Sequence, residues 1–310
     1  MAIAVMRTLD TVSRAVNARE RMGAMDDDAT AAPEPPLSPT LQRLWGRAAP
    51  GRRGPKPALS VDQVARAAVG LADAEGLEAV SMARVAESLG YSSMALYRYV
   101  ANKDELLSLM ADAAVADLPA PAEHDGDWRA GLEAWTRAQI DGIVLRPWFL
   151  ALPLTTVRMG PHRVRWLDRA FRVLRDVDLT ADEKLQIIGL LAQYVLGEGR
   201  VVVETQRAAA SVVRHRAGLP DDTPESDLDP TALTEANPYH DFEAVLRHLA
   251  TPDAYPDLFA ALATAPPPAD GPRHEDGWED DFGVGLQIVL DGVEAFVAQR
   301  LASRGAADGG

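Results

Sequence analysis

Apolar residues recur every three or four positions from residue 60 onward, which is the spacing of one face of an α-helix. The first such segment begins after Ser60, a favourable N-cap, and ends at Gly76, a favourable C-cap. Three more segments follow before residue 118, and their candidate N-caps are Ser81, Ser92 or Ser93, and Asn102. The pattern predicts four helices, of which the third runs to about Val100 and the fourth covers 103–117.

A tight turn containing Gly90 joins the second and third of these helices, which are both short. Two short helices joined in this way form a helix-turn-helix, whose second helix lies in the major groove of DNA. Residues 51–117 are therefore predicted to form a DNA-binding domain.

The rest of the chain also predicts helices, and no stretch alternates between apolar and polar residues as a strand does. The predicted helices are 128–146, 148–157, 160–176, 180–216, two short ones between 238 and 263, and 281–303. Residues 217–238 and 264–280 are rich in proline and aspartate and are predicted as loops. The fold class is all-α, with a three-helix N-terminal domain followed by a larger helical bundle over 118–304.

Both ends of the chain lack this periodicity. Residues 1–50 combine scattered arginines, an acidic run at 26–28 and four prolines between 33 and 39, and they are predicted as a disordered extension. Residues 305–310 are predicted as a disordered tail. No run of 18 uncharged apolar residues occurs, which predicts a protein without a membrane span.

The distribution of charge changes what the composition implies. The formal net charge of −15 by itself argues against a nucleic-acid partner. Residues 43–110, however, contain 9 basic and 7 acidic residues, whereas residues 111–310 contain 18 basic and 33 acidic ones. Because local charge decides whether phosphate can be approached, only the predicted helix-turn-helix region suits contact with DNA.

Several kinds of chemistry find no support in the sequence. Cysteine is absent, which excludes disulfides, thiolate metal sites and cysteine nucleophiles and fits a reducing cytoplasm. The six histidines lack the spacing of a metal site, and we expect no metal or cofactor. Two glycines flank Glu198 inside a predicted helix, but a third glycine at the required distance is missing, so this is no dinucleotide-binding motif.

Three blocks of the N-terminal domain are more specific than a general helix-turn-helix: LGYS at 89–92, ALYRY at 95–99 and NKDELL at 102–107. With them, residues 51–117 resemble the DNA-binding domain of TetR/AcrR-type transcriptional regulators. The remainder is similar, more weakly, to the tetracycline-repressor-like C-terminal domain, chiefly at 282–294. The resemblance implies a cytoplasmic homodimer that represses transcription, binds double-stranded operator DNA and is released by a small-molecule effector.

The candidate DNA contacts follow from this resemblance and from the position of each residue on the predicted helices. They are Ser81, Arg84, Ser92, Ser93, Met94, Ala95, Tyr97, Arg98, Tyr99 and Lys103. Arg98 suits a guanine edge or a phosphate, and Met94 suits a thymine methyl group. Core packing is the expected role of Leu96 and the alternative role of Tyr97.

A basic arm precedes the first helix of this domain and consists of Arg52, Arg53 and Lys56. Glycines and prolines between these residues prevent a helix. The arm is expected either to enter a minor groove or to serve as a solvated linker.

The effector is expected in the C-terminal bundle, where aromatic residues cluster in the first helices. A glycine inside a helix costs about 1 kcal/mol relative to alanine, so Gly197 indicates a kink or a close approach by a ligand or a helix. The candidate effector contacts are Trp135, Trp148, Met159, Trp166, Tyr194, Gly197 and Glu198. An aromatic or polycyclic apolar compound is the expected ligand.

Two other functions stay open at this stage. One is an all-helical enzyme with an accessory helix-turn-helix, although the sequence has no recognisable nucleophile–base pair or phosphate-binding loop and we expect no catalytic residue. The other is an architectural DNA-binding protein without a ligand. A cavity in the larger domain would favour a ligand sensor over this second alternative.

Overall fold

The computed structural model describes residues 37–47, 59–121, 124, 126–153, 157–238, 245–264 and 277–308. Regular structure within these residues is helical and includes no strand, which confirms the predicted all-α fold class. The α-helices are α1 (Pro39–Leu44), α2 (Val61–Glu75), α3 (Met82–Ser88), α4 (Ser93–Leu96), α5 (Lys103–Ala116), α6 (Trp128–Leu145), α7 (Pro161–Val173), α8 (Ala181–Ala217), α9 (Pro230–Glu235), α10 (Pro256–Thr264) and α11 (Gly277–Asp308). Short 3-10 helices cover Leu77–Ala79, Pro147–Ala151 and Glu225–Asp227.

The caps predicted for the helix-turn-helix region are present. Ser60 and Gln63 form a reciprocal capping box at the start of α2, and Gly76 ends this helix with a φ of +82°. The third of the predicted helices, α4, is shorter than predicted. After Leu96 the backbone continues in turns rather than as an α-helix, because the amide of Tyr99 bonds three residues back, to the carbonyl of Leu96.

The first described helix, α1, lies in the segment predicted as a disordered extension, so that prediction is wrong for residues 37–47. Ser38 caps α1 by accepting from the amide of Leu41, and Pro39 occupies its first turn. Leu44 is only 8% exposed and belongs to the core formed by α2 to α5. Burial of one leucine together with a proper cap explains why so short a helix is present.

Other boundaries also differ from prediction. Residues 217–238 contain a helix, α9, because Asp229 caps it and Pro230 occupies its first position. The high content of proline and aspartate had predicted a loop for the whole segment. Leu228 and Leu233 of this segment pack with Val213 of α8. Only a 3-10 helix at Pro147–Ala151 forms where residues 148–157 were predicted as a helix, although 154–156 lie outside the described residues. The last helix extends to Asp308, so the predicted tail is wrong for 305–308.

The chain divides into two compact units, Met1–Leu196 with Val289–Gly310, and Gly197–Ile288. The boundary predicted at residue 118 falls inside the first unit, and the division into a DNA-binding and an effector domain stays a prediction.

One described segment, Phe282–Arg304 of α11, is long and apolar enough to cross a membrane. The mean hydropathy of its most apolar 18 residues is 1.3, and 28% of that stretch is buried. Its acidic side chains are engaged within the protein, since Asp291 and Glu294 pair with Arg129 of α6 at 2.5 and 2.9 Å. Leu290 and Val293 of the same helix are buried. These contacts are typical of a helix that packs in a bundle.

A row of buried polar residues runs along α5. Glu105, Ser108 and Asp112 are at most 3% exposed, and their spacing of three and four residues places them on one face of the helix. Thr136 is the one other polar residue buried in the described part of the chain. Because an unsatisfied buried polar group costs free energy, each member of the row needs a partner.

The partners of this row come from three separate segments. Glu105 accepts from Arg43 of α1 and from the amide of Ala101. The amide of Arg158 donates to the Ser108 hydroxyl at 3.1 Å. Asp112 accepts from the amides of His162 and Arg163, at 3.2 and 2.9 Å, and so caps the N-terminus of α7.

The cap on α7 depends on a residue without a side chain. A Cβ at Gly160 would lie 2.2 Å from Cγ of Asp112. The φ of Gly160 is −97°, which any residue adopts, so glycine is required here for space rather than for backbone freedom. Close approach of α5 to the start of α7 therefore rests on Gly160.

We expect Gly160→Ala to lower the free energy of unfolding by about 1–3 kcal/mol, because the methyl group would displace a carboxylate that holds two amides. Gly197→Ala is the matched control. A Cβ at Gly197, inside α8, meets no described atom within 4 Å, so alanine should add up to about 1 kcal/mol there. Urea unfolding followed by circular dichroism measures both changes. Equal stability of the two variants would contradict the proposed role of Gly160.

Candidate DNA-binding surface and effector cavity

Helix α4 and the turn after it expose several of the predicted DNA contacts. Met94 is 76% exposed and Tyr97 is 49% exposed, although both are large and apolar. Arg98 is also exposed and forms no ion pair with a described acid. Leu96, by contrast, is fully buried, which confirms its predicted packing role. The arrangement suits apolar contact with a thymine methyl group beside a charged contact with guanine or phosphate.

Two of the predicted serine contacts also cap helices. Ser81 accepts from the amide of Arg84 at the start of α3, and Ser92 accepts from the amide of Ala95 at the start of α4. In each case the hydroxyl oxygen serves the cap while the hydroxyl hydrogen can still be donated to a phosphate. Ser93 and Ala95 are half-exposed on α4.

Arg84 is not a free cation in this structure. Its guanidinium donates two hydrogen bonds to Glu75 of α2, both at 2.7 Å, and this pairing holds the pKa of Glu75 below its ordinary value. A phosphate would therefore have to compete with Glu75 for Arg84. Tyr99 is half-buried against the core, so only part of its ring is available for contact.

Lys103 lies exposed in the first turn of α5, shortly after α4 and the turn that follows it, residues 93–99, which we name the recognition segment. That position suits a contact with the DNA backbone. Arg52, Arg53 and Lys56 of the basic arm lie outside the described residues, and their role stays a prediction.

The structure brings together two of the predicted effector contacts. The indole N–H of Trp135 on α6 donates to the carbonyl of Trp166 on α7 at 3.1 Å, and both side chains are at least 92% buried. The guanidinium of Arg169 lies 5.1 Å from the centre of the Trp166 ring, a cation–π contact. The indole nitrogen of Trp166 is the one buried side-chain polar atom of the described chain without a hydrogen-bond partner.

The other candidates lie apart from this pair. Trp148 belongs to the core of α2 to α5, where its indole donates to Asp73 at 2.7 Å. Met159 is 44% exposed and its carbonyl accepts from Trp45. On α8, Tyr194 and Glu198 are half-buried and Gly197 is exposed. The close approach predicted at Gly197 is not made by any described residue, because the space around it is open.

A cavity of about 190 Å³ opens beside Trp135, between α6 and the last turns of α7. Trp128 and Trp135 supply aromatic surface, and Arg169, Arg172 and Arg175 supply positive charge. Arg172 also pairs with Asp168, and Arg175 with Asp176. Pockets for drug-sized ligands usually measure about 300–1,000 Å³, so this cavity fits a smaller, one- or two-ring molecule.

The arginines of α7 were missed by the sequence analysis, although the sequence carries a signal for them. Residues 158–175 contain six arginines and one aspartate within a region of strongly negative net charge. Arg169, Arg172 and Arg175 recur every three residues, which brings them to neighbouring positions on one side of the helix. Counting charge by helix rather than by domain would have found them.

Within the described ranges no cluster of three or more histidine, aspartate or glutamate side chains is arranged to hold a metal ion. Two candidate sites are therefore left: the exposed face of α4, and a small cavity with aromatic and cationic walls.

Two family models match the chain. Residues 58–110 match "Bacterial regulatory proteins, tetR family", and residues 120–297 match "Tetracyclin repressor-like, C-terminal domain". The HTH-type transcriptional repressor DrrR1 of Streptomyces coeruleorubidus is 35% identical over 265 residues, which cover 85% of this chain and 88% of that protein. An HTH-type transcriptional regulator of Saccharopolyspora erythraea is 27% identical over 242 residues, covering 77% and 86% of the two chains.

Solved structures share the fold. The TetR family protein ActR from Streptomyces coelicolor, in complex with actinorhodin, superimposes with a TM-score of 0.57 at 24% identity, over 77% of this chain and 97% of that one. Apo ActR gives a TM-score of 0.56 at 21% identity, over 79% and 99% of the two chains.

We expect Arg98→Ala to weaken binding to the preferred DNA site by about 1–3 kcal/mol, with a smaller loss on random DNA, because a guanine contact carries sequence information. Lys103→Ala is the companion variant. Removal of a phosphate contact should weaken binding to all sequences alike and reduce the slope of log affinity against log salt by about 1. Fluorescence anisotropy at several salt concentrations measures both. Equal losses for Arg98→Ala on the two kinds of DNA would rule out base reading.

Proposed function

The chain belongs to the tetR family of bacterial regulatory proteins, and we propose that it represses transcription as a homodimer that a small aromatic anion releases from DNA. The family is one of DNA-binding transcriptional regulators, which confirms that part of the function inferred from the sequence and sets the enzyme alternative aside. The 35% identical relative is named as a repressor, which favours repression over activation. We place the activity in the cytoplasm, where the DNA is.

The observation that carries the DNA-binding part is the exposed face of α4. Burial of large apolar groups is favourable, so Met94 and Tyr97 gain by contact with another molecule. Met94 lies two residues after the N-cap Ser92, and Tyr97 lies directly before Arg98, so both are next to the residues that a base-reading helix uses. The expected operator is a near-palindrome, with half-sites one helical turn of DNA apart, about 34–36 Å.

The proposal of a small-molecule effector rests on the cavity between α6 and α7. Its tryptophans favour a flat aromatic body, and the adjacent arginines favour a negative group such as a carboxylate. The unpartnered indole N–H of Trp166, next to Trp135 and Arg169, adds a buried donor in the same neighbourhood. The proposed ligand therefore adds one anionic group to the aromatic or polycyclic apolar compound expected from the sequence.

We expect 2-naphthoate to bind about tenfold more tightly than 2-naphthamide, because only the anion forms a charge-assisted hydrogen bond with the arginines. Arg169→Met should abolish this preference. Arg165→Met, which removes the same charge from an exposed position on the same helix, should retain it. Quenching of tryptophan fluorescence measures binding, and a gel shift with DNA from upstream of the gene measures release. Equal binding of the two compounds to the wild-type protein would refute an anionic effector.

The dimer proposal rests on apolar residues left uncovered on the two longest helices. Leu190, Val201 and Val212 of α8 are 37–52% exposed and lie eleven residues apart, which is about three helical turns. Val284 and Ile288 of α11 are 63% and 67% exposed and lie one turn apart. A second copy of the chain would cover such surfaces, as in a four-helix interface.

We expect Ile288→Glu to convert the dimer into a monomer, since a charge would be placed in an apolar interface. Leu145→Glu is the matched control, because Leu145 is 68% exposed but lies at the end of α6. Light scattering at micromolar concentration distinguishes the two states. A wild-type monomer, or dissociation of both variants, would refute this interface.

A further inference from the structure

The segment that precedes the family's DNA-binding domain is itself part of the folded structure. Residues 37–47, which we name the N-terminal strap, comprise α1 and the turn that follows it. They lie outside both ranges that match the family models, 58–110 and 120–297. Neither family model therefore accounts for the strap.

The strap is attached to α5 by a buried ion pair. Arg43 donates from Nε to one carboxylate oxygen of Glu105 at 2.5 Å and from Nη2 to the other at 2.7 Å. The Glu105 side chain is 0% exposed and that of Arg43 is 26% exposed. Hydrogen bonding to Glu105 raises the pKa of Arg43, so this guanidinium stays charged at any physiological pH. A bidentate pair fixes orientation as well as distance.

Two further contacts hold the strap at its C-terminal end. Leu44 is buried in the core of α2 to α5. The indole N–H of Trp45 donates to the carbonyl of Met159 at 3.2 Å, directly before α7 begins. The strap thus contacts both α5 and the chain that leads into α7.

Glu105 lies on the same face of α5 as the two residues that hold the start of α7. Ser108 and Asp112 follow it by three and seven positions and accept from the amides of residues 158, 162 and 163. A helix of 14 residues with a continuous hydrogen-bond ladder moves as one body over this distance. A displacement at Glu105 therefore reaches Asp112.

We propose that the N-terminal strap is a positioning element for DNA binding, in which Arg43, acting through Glu105, holds α5 where its first turn supports the recognition segment and its later turns hold α7. Without Arg43, the carboxylate of Glu105 is a buried charge with one remaining amide partner, Ala101. Such a charge is costly and drives the first turn of α5 toward solvent. Lys103 and the recognition segment before it move with that turn.

The test compares three full-length proteins: wild type, Arg43→Met and the control Arg137→Met. Methionine keeps an unbranched aliphatic side chain and removes the charge in both variants. Arg137 is a fair control because it pairs with Glu133 on the same helix, α6, far in sequence from the strap. Glu105→Gln, which retains size and an acceptor for Ala101, replaces Arg43→Met if that variant does not fold.

Amide hydrogen exchange, followed by mass spectrometry, tests the coupling without DNA. We expect Arg43→Met to speed exchange at the amides of Arg158, His162 and Arg163 about tenfold, although none of them touches Arg43. Arg137→Met should leave them at the wild-type rate. Faster exchange confined to 37–47 and 101–106 would overturn the proposal and reduce the strap to a local stabilising contact.

Binding to DNA supplies the second measurement. We expect Arg43→Met to weaken binding to the upstream DNA about tenfold while binding to random DNA stays within about twofold, since phosphate contacts tolerate displacement better than base contacts do. An equal loss on both DNAs would also overturn the proposal. The DNA-binding measurement rests on the proposed function. If the wild-type protein shows no preference for its upstream DNA, that function is refuted, while hydrogen exchange still decides the role of the strap.

Discussion

The buried polar face of α5 is the constraint on which the first unit depends. Glu105, Ser108 and Asp112 lie in the interior, where each needs a hydrogen-bond partner to offset its loss of water. Those partners come from α1, from Ala101 and from the start of α7, so these segments cannot separate from α5 without leaving a buried polar group unpaired. Apolar packing alone would allow α5 to shift along its axis against its neighbours. Directional hydrogen bonds at three positions along the helix specify a single arrangement.

Local chemistry explains what could be predicted from the sequence. Caps such as Ser60, Asn102 and Gly76 act within a few residues of themselves, and the helices they delimit were placed to within one or two residues. The same holds for Leu96, whose burial follows from the period of α4. The segment from α2 to α5 is rich in such signals, and its function could be inferred for that reason.

Contacts between distant segments account for what was missed. Arg43 and Glu105 are 62 positions apart, and nothing in the surroundings of either indicates the other. The aromatic residues show the same limit, since Trp135 and Trp148 are close in sequence yet lie in different places. Pro147 ends α6 between them, and the chain after it turns toward Asp73 of α2. Spacing predicts which face of a helix a residue occupies but not which neighbour that face meets.

The unequal burial of its charges makes the protein respond unevenly to ionic strength. Mobile ions weaken interactions between charges that water can reach, as Lys103 and Arg98 can be reached on the surface. They act far less on Glu105, which has no contact with solvent. If Lys103 and Arg98 contact DNA as proposed, a rise in cellular salt under osmotic stress weakens DNA binding while the buried ion pair of Glu105 is retained.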